Sequence, residues 1–462
     1  MSDLIYKSTN VIEKLDDAQI SQMEALCDEY RVFLDEGKTE RECVDFTVLA
    51  AKEKGYKDIS EYDSLKPGDK VYMVNRKKNV LLAVIGKEPM TDGFNLVGSH
   101  IDSPRLDLKQ NPLYESCNMS LLRTHYYGGI KKYQWTAIPL AIHGVVFTKD
   151  GEEIKIKIGE DENDPVFCIN DLLPHLGKDQ MSKKLSEGIE GEALTVLVGG
   201  WPVLDEDADN KIKLNVLNIL NKKYKITERD FLSAEIEVVP AFKAKNIGFD
   251  GAFVGGYGQD DRVCAFTSLK AIFEVENPEK TALCIMVDKE EIGSMGNTGM
   301  QSDFFKLAVA ELIAKEQGNC DYLAFCKAMS NSSCLSSDVA AAVDPNYESV
   351  NEKQNAAICG YGVCMVKFTG ARGKSSASDA NAEFVYKIGK AMDDNDVYWQ
   401  PSEMGKVDHG GGGTIAQYVA NLNMDVLDCG TPVLSMHSPD EVTAKTDVYM
   451  TYKAYKAFYD MK

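Results

Sequence analysis

The chain has 462 residues, a formal net charge of −21 and 27% charged residues, enough to bury a large core split over two or three domains. Such an acidic balance excludes the broad basic face that a nucleic-acid partner or an anionic membrane surface would need. No run approaches the twenty apolar residues of a membrane span, and MSDLIYKSTNVIEKL shows no basic segment followed by an apolar one, so a cytoplasmic protein without a secretion signal is expected.

The first hundred residues open with helices. Thr39 and Glu42 have capping-box spacing, and the helix they start is expected to end near Gly55. Strand-like runs follow at Lys70 to Asn75 and Asn79 to Gly86. The segment NLVGSHIDSPR then carries a strand into a polar loop with His100 and Asp102, the usual way to present ligands at the end of a sheet.

From about Leu108 to Val239 the runs WTAIPLAIHGVVF, EIKIKI, EALTVLV, KIKLNVLNIL and the stretch Phe231 to Val239 read as strands of a separate β-rich region. GEDENDP and GKDQMSKKLSEGIEG between them read as solvated loops. From Gly248 onward apolar strands such as TALCIMV, YGVCMVKF and MDVLD alternate with amphipathic stretches such as RVCAFTSLKAIFE and SDFFKLAVAELIAKE. The simplest organisation is one α/β domain with a central mixed sheet flanked by helices, built from residues 1–107 and 245–462, with a β-rich domain, 108–244, inserted.

Twelve cysteines are scattered without a CxxC pair, which fits reduced thiols better than a disulfide framework or thiolate metal site. Cys359 and Cys364 in CGYGVC are expected to pack a strand. The polar residues that could carry chemistry stand just outside apolar elements: His100 and Asp102 in GSHID, Asp260 and Asp261 in GQDDR, Glu290 and Glu291 in DKEEIG, Asp338 in SSDVAAAVD, and His437 in SMHSPDE. Imidazole and carboxylate together suit zinc, cobalt or manganese. Adjacent Glu290 and Glu291 diverge in a turn, so one can hold a metal while the other handles the proton of a water; the bland alternative is a solvated loop. Asp107 suits a salt bridge and Asp344, before Pro345, a turn. His409 beside four glycines is either a surface turn or part of a backbone wall facing a substrate.

In order and spacing, GSHIDSPRLDLK, IPLAIH, QDDRVCAF, DKEEIGSMG, SSDVAAAVDPNY and VLSMHSPDE resemble the M18 metallopeptidases, the aspartyl aminopeptidase family, over essentially the whole chain. The resemblance implies a zinc-peptidase-like phosphorylase/hydrolase fold whose insertion serves dimerisation. It also implies two divalent ions, held by His100 and His437 as terminal nitrogens, Asp260 as the bridge, and Glu291 and Asp338 as completing carboxylates. Glu290 matches the general base, Asp102 the acid orienting His100, and Asp261 a supporting residue. Relatives send a histidine of the insertion into the partner's site, and His143 in IPLAIHG matches that segment, with His125 the next candidate. Peptides with a free N-terminus are the implied substrates, and dimers assembling to a dodecamer the implied association. Arg372 and Lys374 stand near the place where acidic-selective members hold a basic residue. A scaffold without activity and an amidohydrolase acting on small molecules are the other classes to separate from this reading.

Overall fold

The computed structural model describes residues 4–461. Chain order gives the strands β1 (Lys57–Asp58), β2 (Lys70–Asn75), β3 (Asn79–Val84), β4 (Phe94–His100), β5 (Arg105–Ser116), β6 (Met119–Tyr127), β7 (Leu140–Phe147), β8 (Glu153–Ile158), β9 (Thr195–Gly199) and β10 (Glu235–Pro240). Then follow β11 (Lys245–Ile247), β12 (Phe253–Gly256), β13 (Thr281–Val287), β14 (Ser333–Ser336), β15 (Ala340–Ala341), β16 (Val363–Val366), β17 (Trp399–Pro401), β18 (Asp425–Gly430), β19 (Pro432–Leu434) and β20 (Glu441–Ala444). They form a nine-stranded sheet in the order β1-β2-β3-β13-β4-β14-β18-β16-β17, a six-stranded sheet β8-β7-β10-β5-β6-β9, and a five-stranded sheet β11-β12-β20-β19-β15.

Two compact units result. The first comprises the chain up to Asp102, Ala244–Met436 and the chain from Asp440; the second is Ser103–Lys243 with His437–Pro439. These boundaries fall a few residues from the expected 107/108 and 244/245. The shift on the N-terminal side arises because Arg105–Ser116 is one continuous strand of the six-stranded sheet.

In the first unit the central strands are apolar on both faces, which is why NVLLAV and TALCIMV read as unbroken hydrophobic runs. Val80, Leu82 and Val84 join one core with Val97, Cys284 and Met286, packed with residues of the helices Asp17–Glu36, Gln259–Phe273 and Lys445–Tyr459. Leu81 and Ala83 join the opposite core with Leu96, Leu283 and Ile285, packed with residues of the helix Phe304–Gln317. The helix Glu40–Glu53 begins as its sequence signals: Thr39 caps Glu42 N–H, and the Glu42 side chain returns to the Thr39 N–H.

In the second unit one expected strand is a helix. KIKLNVLNIL lies within the helix Lys211–Tyr224, where Ile212 and Val216 are the buried residues. The alternation of Ile212, Leu214 and Val216 imitates a strand, yet 212 and 216 also share a helical face. The helix start is fixed by Glu115 Oε2, which accepts the N–H groups of Ile212 at 2.9 Å and Lys213 at 3.0 Å. The stretch GKDQMSKKLSEGIEG holds two single turns of helix, Lys178–Met181 and Leu185–Gly188.

No helix among the described residues is long and apolar enough to cross a membrane.

Candidate metal centre

Three parallel strands at the middle of the nine-stranded sheet deliver the chemistry. β4 lies between β13 and β14, with Val287 opposite His100 and Ser336 opposite Gly98. The carboxyl ends of all three therefore coincide, where ligands of α/β sheets gather. His100 is the last residue of β4, the turn 288–291 follows β13, and Asp338 follows β14. Asp260 and Asp261 come from the first turn of the helix Gln259–Phe273, where both have non-helical backbone and the peptide between them is cis.

Around His100 the donors converge. Its Nε2 stands 3.1 Å from Asp260 Oδ1, close to the spacing of about 3.3 Å between two donors each about 2.0 Å from one tetrahedral ion. Its Nδ1 stands 3.0 Å from the Asp102 carbonyl and 3.3 Å from Asp102 Oδ1. Both are acceptors, so Nδ1 carries hydrogen and Nε2 is turned toward the carboxylates. Ligand atoms of His100, Asp260 and Glu291 lie within 4.8 Å of one another, and so do those of His100, Asp261 and Asp338.

The backbone under the two glutamates is fixed by Asp102. Its Oδ1 accepts the Glu290 N–H at 3.1 Å and its Oδ2 the Glu291 N–H at 3.2 Å. One buried carboxylate thus orients the imidazole and the paired glutamates together. Asp260 is held from the other side, where Glu441 Oε2 accepts its N–H at 3.0 Å. Gln259 donates to the carbonyls of Val254 and Glu441 and accepts from the Tyr30 hydroxyl.

The electrostatics are lopsided. Asp102, Asp260, Asp261, Glu290, Glu291 and Asp338 gather about a single imidazole, and the buried Arg262 beside them donates to the carbonyls of Ile101 and Lys38. Burial, with the charges of Cys264 and Asp260 adding to it, pushes the Asp261 carboxyl well above its ordinary range; burial and the neighbouring Asp261 do the same to Asp338. Burial opposes charge on His100, but its bonds to Asp102 and Asp260 outweigh that and raise its pKa. Asp261 Oδ1 is buried without a hydrogen-bond partner among the described residues. Excess buried negative charge and an unsatisfied carboxylate oxygen beside an oriented imidazole are what a divalent cation would balance. The donor set fits zinc, with carboxylate enough for two ions.

His100, Asp260, Glu291 and Asp338 of the expected ligands are brought together, and Asp102 and Glu290 stand beside them. Asp261, expected only in support, is itself within donor reach of His100 and Asp338. Sequence reasoning passed over Gln259 and Glu441, although Glu441 ends the SMHSPDE motif. His437 belongs to the second unit, and both donor groups form without it. Its Nδ1 meets the Gly129 carbonyl at 2.9 Å, which makes Nδ1 the donor and leaves Nε2 as the lone-pair nitrogen. His143 is fully buried in β7, with Nε2 3.4 Å from Glu160. His125 is exposed on β6, its Nδ1 2.9 Å from the Tyr126 carbonyl.

The remaining candidates fall into place locally. Asp107 pairs with Arg105 at 2.8 Å, and Asp344 accepts the Asn346 N–H at 2.8 Å in a turn. Lys374 is tied to Asp379 at 2.9 Å and covers the Phe368 ring, while Arg372 is exposed. This hairpin packs on the glycines after His409: Gly370 N–H donates to the Gly412 carbonyl at 2.6 Å, and a Cβ on Gly411 would come within 2.1 Å of the Gly370 oxygen. Cys364 is buried in β16, as expected of a packing residue, and Cys359 precedes that strand.

A family profile described as "Aminopeptidase I zinc metalloprotease (M18)" matches residues 33–459. A probable M18 family aminopeptidase 1 of Clostridium acetobutylicum is 50% identical over 461 residues, 99% of each chain. The crystal structure of an M18 family aminopeptidase from Thermotoga maritima superposes with a TM-score of 0.95 at 44% identity, covering 99% of this chain and 100% of that one. The mApe1 dodecamer of S. cerevisiae, 19% identical with a TM-score of 0.76 over 95% of this chain and 97% of that one, shares the fold.

Proposed function

The chain belongs to the M18 family of zinc aminopeptidases, and on that premise we propose that it removes N-terminal residues from peptides at a two-ion site on the carboxyl edge of the nine-stranded sheet. It is an aminopeptidase and a hydrolase by family; the ion count, the residue roles and the substrate preference are the proposal. The observation that carries it is the pair of donor groups meeting at His100, one with Asp260 and Glu291, the other with Asp261 and Asp338.

His100, Asp260, Glu291, Asp338 and His437 would hold two divalent ions, zinc by preference, with Asp260 between them. When bound, such ions polarise a scissile carbonyl and lower the pKa of water. Glu290 takes the proton from the attacking water and returns it to the leaving amine, a role supported by its half-buried place beside the cluster. Asp102 keeps Glu290 in reach by holding its amide and keeps His100 in the tautomer that offers Nε2. A carboxylate of the cluster receives the free α-amino group of the peptide.

Burial of His143 removes it from the surface of its own subunit, so a histidine reaching a partner's site falls instead to His125. Leu172, Leu173, Leu176, Met181, Leu185 and Trp201 are exposed on the inserted unit, and such apolar area supports self-association to dimers and then dodecamers. Selection of an acidic first residue would rest on Arg372, because Lys374 is already paired with Asp379.

Elemental analysis of purified protein, with a panel of Asp, Glu, Leu and Lys aminoacyl substrates, tests the reading. Two ions per chain and release of free amino acids are expected. Glu290→Gln should lower turnover by about 10²–10⁴-fold with metal retained, and near-parental turnover in that variant would remove Glu290 from its role. A clear preference for Leu or Lys would sink acidic selection, and solution mass decides the assembly.

A further inference from the structure

A polar device beneath the glutamate turn has none of the roles described above. β13 ends at Val287, and the buried Asp288 starts a loop that returns to the buried Thr298. The Asp288 N–H donates to the Thr298 carbonyl at 3.2 Å. The Thr298 hydroxyl lies 2.6 Å from Asp288 Oδ2 and 2.5 Å from Lys289 Nζ. An ammonium can only donate and a carboxylate only accept, so the hydroxyl accepts from Lys289 and donates to Asp288. Lys289 Nζ also stands 3.3 Å from Asp288 Oδ2. The three side chains form a clasp that closes the loop on its own first residues.

The clasped residue has the unusual backbone. Lys289 sits at φ 68, ψ 18, a left-handed conformation that a residue with a Cβ seldom adopts. That turn swings the chain out of the strand direction, so that the next two amides both face Asp102. Its carbonyl then accepts the Ser294 N–H at 2.7 Å, which closes the same loop from the far side of the glutamates. Were Lys289 to relax toward extended backbone, the Glu290 and Glu291 amides would leave Asp102, and the Glu290 carboxylate would move with them.

We infer that Thr298, by tying Lys289 to Asp288, is a positioning residue for the proton-carrying Glu290. The inference rests on the reading of Glu290 as general base and assigns to the clasp the placement of that carboxylate.

The zinc-loaded enzyme tests it through Thr298→Val, which keeps the branched shape and loses the hydroxyl, Thr298→Ser, which keeps the hydroxyl, and Glu290→Gln. Thr298→Val is expected to lower kcat about tenfold or more through misplacement of a reacting group. KM should stay within about twofold and zinc content should equal the parent's, and Thr298→Ser should restore most of kcat. Should Thr298→Val yield too little folded protein, Lys289→Met, which loses the ammonium and keeps the Cβ, is expected to lose kcat in the same way, and Lys289→Gly, which takes up left-handed backbone without the clasp, to lose less. Parental kcat with a lowered melting temperature would reduce the clasp to architecture and overturn the inference. A loss of kcat that tracks a loss of zinc would overturn it as well, since the clasp would then serve Glu291. An inactive Glu290→Gln beside a fully active Thr298→Val removes the clasp alone, whereas an active Glu290→Gln removes the base assignment and the clasp together.

Discussion

The carboxyl edge of the nine-stranded sheet and the six-stranded sheet of the inserted unit handle buried charge in opposite ways. In the inserted sheet each buried charge has its opposite: Arg105 lies between Asp107 at 2.8 Å and Glu237 at 3.1 Å with the Tyr127 ring stacked 3.9 Å away. Likewise Glu160 sits between His143 and Lys157. At the sheet edge, by contrast, carboxylate after carboxylate crowds one imidazole. Burying an ion costs several kcal/mol unless a partner offsets it. A cluster of matched charges therefore carries architecture, and one crowded with carboxylates favours a bound cation.

The sharpest way to break the comparison is to remove a charge from the balanced side. Arg105→Met keeps much of the packed chain length but takes the guanidinium from beside the buried Glu237, and a loss of about 3–5 kcal/mol in unfolding free energy is expected by denaturant titration. An effect below about 1 kcal/mol would mean that the inserted sheet tolerates imbalance as the site does, and the contrast would lose its meaning.

A buried carboxylate away from both clusters sets the next scale. Asp428 in β18 is pushed up to about 6 by burial, partly countered by the Thr414 hydroxyl 2.7 Å away. An unfolded Asp titrates near 3.9, so the folded chain holds its proton more tightly. The stability this contributes is fully present below about pH 4 and is lost as pH rises through about 6. Asp428→Asn should therefore flatten the fall of stability between pH 4 and 6, a change of at most about 3 kcal/mol across the window. If parent and variant curves ran parallel there, Asp428 would titrate as an ordinary carboxylate.

Within the site the effect moves from folding to metal. Asp102→Asn replaces one of two acceptors by a donor facing the amides of Glu290 and Glu291 and weakens the partner of His100 Nδ1. A drop of about 10–100-fold in zinc affinity is expected in competition with a chelator. Unchanged affinity would show that His100 is oriented by the Asp102 carbonyl alone.

How much of this was legible in the chain depends on how far apart the partners stand in sequence. The capping box of Thr39 and Glu42 spans three residues and was read directly; so were the strand at Lys70–Asn75 and the run opening β3. The helix Lys211–Tyr224 was read as a strand because its anchor, Glu115, lies far upstream in β5. Segment motifs pointed to His100, Asp260, Glu291 and Asp338, since each is an uncommon polar residue after an apolar run. Asp261 was undervalued because its reach toward His100 and Asp338 depends on non-helical backbone inside an otherwise helical stretch. Thr298 gave no signal, because a hydroxyl that ties two loop side chains together looks like any loop residue until the loop is folded, and Glu441, though it ends the SMHSPDE motif, was passed over because the amide it holds, that of Asp260, lies far upstream.

The smallest expected effect separates the two halves of the comparison most cleanly. Asp261→Asn keeps an oxygen for the His100 N–H, which Asp261 Oδ2 now accepts at 3.3 Å, and removes one charge from the crowded side. In metal-free protein the folded state is relieved of repulsion that the unfolded chain does not feel, so stability should rise by about 1 kcal/mol. The same substitution should weaken zinc binding, because the charge that burdens the empty site is the charge that attracts the ion. A stabilised metal-free protein with weaker binding is the signature of an unbalanced cluster. Destabilisation in both states would place Asp261 with Arg105 and Glu237, among charges kept for architecture.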